Sequence, residues 1–271
     1  MIDYLFSVFS YPFMLRALIV GILVSLCGAL LGVNLVLKRY SMIGDGLSHV
    51  AFGAMAIAAA LNLAPLAASV PVVILAAFFL LGVKENSRIK GDSAIALITC
   101  SSLAVGVTVS TLSGGMNTDL MNYMFGSILS LSDTDTALSI ILSVAVVFLY
   151  IIFYRGIFAV TFDESFARAT GVRVDIYRML TSLLTAIVVV LGMRMMGTLL
   201  ISGLLIFPPL SAMRVTKNFK ATVILSAIIS VVCFVIGILV SFVMSTPVGA
   251  TVVIVNLIIF IITNLISVIK K

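Results

Sequence analysis

"MLRALIVGILVSLCGALLGVNLVLKRYSMIGDGLSHV", residues 14–50, decides the fold. Residues 14–37 are apolar apart from Arg16 and a few small polar side chains. That run exceeds the roughly 20 residues a helix needs to cross the hydrocarbon core of a bilayer. Lys38 and Arg39 close it, and a second apolar segment opens at residue 43. The pattern continues to the end of the chain. Apolar stretches at 14–37, 43–61, 65–83, 93–112, 136–154, 176–193, 196–213, 221–243 and 248–268 predict an all-α polytopic membrane protein. About nine transmembrane helices are expected, within a range of eight to ten. Around "LGMRMMG", Gly192, Arg194 and Gly197 interrupt a longer apolar run, where two short spans or one broken helix both fit. The half-apolar segment 117–132 suggests a short helix at the far surface that does not span.

Composition agrees. The chain is 62% hydrophobic and 10% charged, against about 25% charged in soluble domains. Its mean hydropathy is +1.33. Little length remains for a soluble unit, so residues 1–271 read as one transmembrane domain. The phosphate-loop pattern G-x-x-x-x-G-K-[ST] is absent, so any ATP-driven work must draw its ATPase from another chain. The net charge of +6 reports orientation rather than nucleic-acid binding. All Lys and Arg except Arg16 and Arg194 fall in loops on one side, which the positive-inside rule makes cytoplasmic. The N-terminus is then outside, the C-terminus inside, and 154–178 forms the largest inner loop. The N-terminal stretch has Asp3 and no basic region, so it does not read as a cleaved signal. Its Tyr4, Phe6, Phe9, Tyr11 and Phe13 read as interfacial aromatics. Cys27, Cys100 and Cys233 lack C-x-x-C spacing and read as packed apolar side chains. Gly28 and Gly32 form a G-x-x-x-G suited to internal helix packing.

Ionisable residues inside a span are costly, and they mark function by default. Asp45 and His49, the chain's single histidine, stand four residues apart on one helix face. Counting 1.5 Å per residue from Arg39 places Asp45 about 9 Å in and His49 near mid-depth. Carboxylate with imidazole suits Zn²⁺, and also Mn²⁺ or Fe²⁺. Two ligands are few, but a symmetric dimer would bring two of each to one axis. Two other readings stay open: a structural hydrogen bond between the pair, and a proton relay.

The inner loop contains "DESFARATG", residues 163–171. Acids come first at Asp163 and Glu164, Arg168 follows, and Gly171 stops the run, the order of a short helix. Such a helix can lie in a partner's groove. Asp92 reads as the cap of the fourth span, while Asn117 and Asp119 read as an entry site or a solvated outer loop. Pro208 and Pro209 break a hydrogen-bond ladder inside a span. Met193, Met195 and Met196 read as adaptable packing.

The segments "LKRYSMIGDGLSHVAFGA", "IKGDSAIAL", "NTDLMNYMFGSIL", "DESFARATGV", "GTLLISGLLIFPPLSA" and "TPVGA" occur in the order found in permease subunits of bacterial zinc and manganese ABC importers. The chain resembles that family almost end to end, and the Gram-positive zinc-importer permeases in particular. The resemblance implies a homodimer with the vitamin B12-importer type of fold. It also implies two cytoplasmic ATP-binding subunits and an extracellular metal-binding lipoprotein. Zn²⁺, with Mn²⁺ as the alternative, is then the transported substrate, and no cofactor is permanently bound. The family's D-x-L-S-H motif falls on Asp45 and His49, its metal-gating positions. "DESFARATGV" matches the coupling helix that docks on the ATPase.

Other classes fit less well. An intramembrane H-E-x-x-H metalloprotease needs two histidines. A passive channel needs no docking loop. A proton-coupled secondary metal transporter would use Asp45 and His49 as its relay.

Overall fold

A chain surrounded by hydrocarbon must satisfy each backbone N–H and C=O within itself, which favours helices. The computed structural model describes residues 12–82, 91–113 and 133–269, and the regular elements among them are helices. They are α1 (Pro12–Leu37), α2 (Ile43–Ala60), α3 (Pro65–Gly82), α4 (Gly91–Leu112), α5 (Asp133–Phe162), α6 (Glu164–Ala169), α7 (Val174–Val215), α8 (Phe219–Met244) and α9 (Val248–Ile269). Among the described residues, eight stretches are long and apolar enough to cross a membrane, and the apolar part of α3, Ala68–Leu81, is shorter. The expected all-α polytopic fold is present, with a helix count inside the expected range. The aromatic positions up to Tyr11 and the segment 117–132 lie outside the described residues.

Gly197 resolves the ambiguity in α7. Its φ of 82° and ψ of 166° fall in a region open essentially to glycine alone. The chain folds back there, because the Ile201 side chain packs against Gly192. In a straight helix those two positions would stand about 13 Å apart. The two limbs, Val174–Arg194 and Met196–Val215, are separate spans.

α1, α2 and the second limb of α7 are the most buried spans. The G-x-x-x-G of α1 seats it on that limb: Gly28 lies against Leu204, and Gly32 against the Leu205 carbonyl and Pro209. A side chain at Gly32 would push the helices apart, whereas Gly28 sits at ordinary contact distance. Ser230 of α8 donates to the Ser25 carbonyl of α1 at 2.9 Å, and the Cys27 thiol donates to the Ser143 carbonyl of α5 at 3.4 Å. Cys27 and Cys233 are buried as expected, whereas Cys100 faces outward from α4.

α5 is longer than its hydropathy suggests. Residues 155–162, read above as loop, continue the helix, because Ile157 and Val160 are buried and Gly156 lies against the Tyr177 ring. The connecting segment therefore shrinks to 163–173 and consists mostly of α6. Phe219 packs on Tyr154, Phe158 and Phe162 of α5, which brings the α7–α8 turn with Lys217 to the same end. Lys38, Arg168, Arg178, Lys217 and Lys220 thus gather at one basic end of the bundle.

Candidate functional site

Glycines fix the placement of α2. Gly44 lies against Leu205 of α7, Gly46 against Ile95 and Thr99 of α4, and Gly53 against the Ser102 carbonyl. With two sides so closely packed, Asp45 and His49 share a remaining face, partly accessible at 35% and 15% of their side-chain surface. Asp45 lies in the first helical turn, where a negative charge is favoured by the helix dipole.

His49 Nε2 and Asp45 Oδ1 are 3.7 Å apart, beyond ordinary hydrogen-bond distance. The two groups face each other without closing a structural bond. His49 Nδ1 is buried and has no hydrogen-bond partner among the described residues. An unsatisfied polar atom inside a span costs free energy, which singles out this imidazole among the described residues. Among the described residues, no group of three or more His, Cys, Asp and Glu side chains converges. Asp45 and His49 are thus a pair, not a cluster, among the described residues.

The depth expected for this pair needs correction. Arg39 to Met42 form a turn rather than helix, and α2 begins at Ile43. His49 thus stands about 9 Å along a helix of about 27 Å, a third of the way rather than halfway. α4, packed beside α2, exposes Ser93, Leu97, Cys100, Ala104, Val107 and Thr111. Residues 96, 101, 105, 108 and 112 are exposed as well, so α4 packs inward through Ile95 and Gly106 and presents a broad outer face.

At the basic end, Asp163 caps α6 by accepting from the Phe166 N–H at 2.9 Å. Gly171, with φ of 86°, stops it, and the Val172 N–H returns to the Ala167 carbonyl at 2.9 Å, a left-handed C-cap. The short helix read from the sequence is present. Ala167 packs on Val160 and Val174, and Phe166 projects away, 66% exposed. Arg168 is paired with Asp175 at 3.6 Å and stays largely exposed.

Glu164 is engaged within the chain. One carboxylate oxygen accepts from Lys38 Nζ at 2.7 Å and the other from Arg178 Nη2 at 2.6 Å. Burial alone would raise this carboxyl, but Lys38 and then Arg178 outweigh it and hold it below its ordinary value. The pairs therefore add stability above the carboxylate range, and lose it only as pH falls through that lowered value.

Sequence reading passed over Phe166, which looked like ordinary helix filling, and the roles of Lys38 and Arg178. Lys38 lies 126 positions from Glu164, so no local pattern joins them. Asp92 stands in the first turn of α4. Its side chain, like Asn117 and Asp119, lies outside the described residues.

The model of the ABC 3 transport family matches residues 10–267. The manganese import system permease protein ScaB of Streptococcus gordonii is 28% identical over 265 residues, covering 98% of this chain and 95% of its own. The high-affinity zinc uptake system membrane protein ZnuB of Haemophilus influenzae is 29% identical over 253 residues, covering 93% and 97%. A solved structure, PsaBC from Streptococcus pneumoniae in complex with Fab, superposes with a TM-score of 0.86 at 29% identity, covering 97% of this chain and 95% of that chain. With a family match over nearly its whole length, the chain belongs to the ABC 3 transport family and is a membrane-spanning, non-enzymatic permease subunit.

Proposed function

We propose that this chain forms the membrane pathway of an ATP-driven importer that moves a divalent metal ion, zinc before manganese, into the cytoplasm. The observation that carries the reading is the His49–Asp45 face, with an imidazole nitrogen unsatisfied among the described residues. A second copy, seated against the exposed face of α4, supplies the other Asp45 and His49 and completes an N₂O₂ set, which suits Zn²⁺. Such a set is loose enough to release its ion, as transport requires. Manganese is the second reading, because ScaB is named for manganese and ZnuB for zinc.

The remaining parts follow from the basic end. The positive-inside rule makes that end cytoplasmic, which puts the N-terminus outside and the C-terminus inside a bacterial cell membrane. α6 presents Phe166 and Arg168 there to an ATP-binding subunit, one on each of two copies. An extracellular metal-binding lipoprotein delivers the ion to the opposite end.

The reading is tested with the permease, its ATP-binding subunits and its metal-binding lipoprotein reconstituted in liposomes. Zn²⁺ should accumulate only with ATP, and should do so without a pH gradient. Zinc should also be preferred over manganese at equal concentration. Uptake that follows a proton gradient without ATP identifies a secondary transporter instead. Preference for Mn²⁺ selects the second reading.

A further inference from the structure

Glu164 joins three elements. It lies in the first turn of α6, takes Lys38 from the end of α1 on one oxygen, and takes Arg178 from the start of α7 on the other. Lys38 and Arg178 are only 20% and 25% exposed, so the pairs are shielded better than free surface ion pairs. Ala167, the buried side chain of α6, packs on α5 and α7 rather than on α1. The Glu164–Lys38 pair is therefore what ties α6 to α1. One turn earlier on the same face of α1, Asn34 donates to the Tyr150 hydroxyl at 3.1 Å and accepts from Thr161 at 3.3 Å. The last turn of α1 is thus gripped twice by the limb that carries α6.

From Lys38 the chain reaches Asp45 through a turn with little slack. The Arg39 N–H returns to Val36 at 3.1 Å and the Tyr40 N–H to Leu35 at 2.8 Å, while the Ile43 N–H bonds the Tyr40 carbonyl at 3.1 Å. Arg39 itself is held at a φ of 61°, a conformation L-residues adopt at a cost and only when their surroundings impose it. A turn locked in this way transmits displacement instead of absorbing it. α2 then continues as one helix through Asp45 and His49.

We propose that Lys38 is a positioning residue for transport: the Lys38–Glu164–Arg178 clamp makes α6 and the α1–α2 turn move together, so a shift of α6 resets the Asp45–His49 pair. The inference rests on the importer reading above, and it adds the path by which a nucleotide-driven movement reaches the metal. Lys38 is 20% exposed and paired with Glu164, and acts through Glu164 and the turn.

The test is ions moved per ATP hydrolysed, measured with the complete importer in liposomes. In Lys38→Met the ATP-binding subunits should co-purify at normal stoichiometry and hydrolyse ATP. Ions per ATP should fall about tenfold, in the usual range of coupling between sites. Lys38→Arg keeps the charge and should restore coupling. An unchanged ratio in Lys38→Met overturns the proposal. So does loss of the ATP-binding subunits, which would make the clamp only part of the docking surface, and so does a Lys38→Arg variant as defective as Lys38→Met. Wild type without ATP-driven uptake overturns both this and the importer reading, whereas normal wild-type transport with an unaffected Lys38→Met overturns the clamp alone.

Discussion

His49→Ala should lower metal uptake at least about 100-fold per folded dimer, since even an outer partner of a metal ligand is worth 10- to 100-fold. The substitution removes the only imidazole in the chain, and no convergent group of His, Cys, Asp or Glu among the described residues can replace it. Folding should be spared, because the 3.7 Å gap to Asp45 is too long for the pair to hold α2 in place. Close glycine contacts with α4 and α7 do that instead. Asp45→Asn keeps the shape and removes the charge, and should fail as well if the carboxylate binds cation. Uptake per dimer is checked against the amount of protein in the membrane. A structural pair would lower that amount and leave the rate per dimer intact. A proton relay would leave uptake that follows the pH gradient without ATP.

Phe166→Asp should release the ATP-binding subunits, weakening their association by about 30-fold or more, the scale of an interfacial hot spot. The ring is 66% exposed at the basic end, on a helix fixed by its own caps at Asp163 and Gly171. Arg168→Glu should act in the same direction more weakly, since Arg168 is exposed and lightly paired. Co-purification and stimulated ATP hydrolysis measure both variants, and normal values for Phe166→Asp remove α6 from the docking surface. Glu164→Lys is a different case. From sequence its charge looks available to a partner, so its reversal should weaken docking and leave the permease folded. In the structure the charge is spent on Lys38 and Arg178, so reversal should lower the yield of folded permease too.

The sequence shows most of the membrane architecture because the bilayer constrains it so strongly. Length and apolarity mark the spans, and basic residues mark the loops between them. Hydropathy could not choose between two spans and one broken helix at Gly197, since the answer lies in a backbone conformation. It also ended α5 too early at Arg155, because the burial of Ile157 and Val160 depends on α6 and α7 folding back onto them. Asp45 and His49 stood out because charge in a span is rare. Their depth was misjudged because the Arg39–Met42 turn has no strong breaker and reads as helix. Lys38 remained an ordinary loop charge until the fold brought it to Glu164. Phe166 looked like filler because exposure is not written in residue type.

The central claim is that two copies of Asp45 and His49 hold the transported ion, and X-ray absorption at the zinc edge tests it most directly. The complete importer is loaded with Zn²⁺ and stopped before release by an ATP-binding subunit that cannot hydrolyse ATP. The account predicts a nitrogen and oxygen shell at about 2.0–2.2 Å, with outer scattering from two imidazoles that is lost in His49→Ala. A zinc shell without imidazole, or one unchanged in His49→Ala, would contradict it.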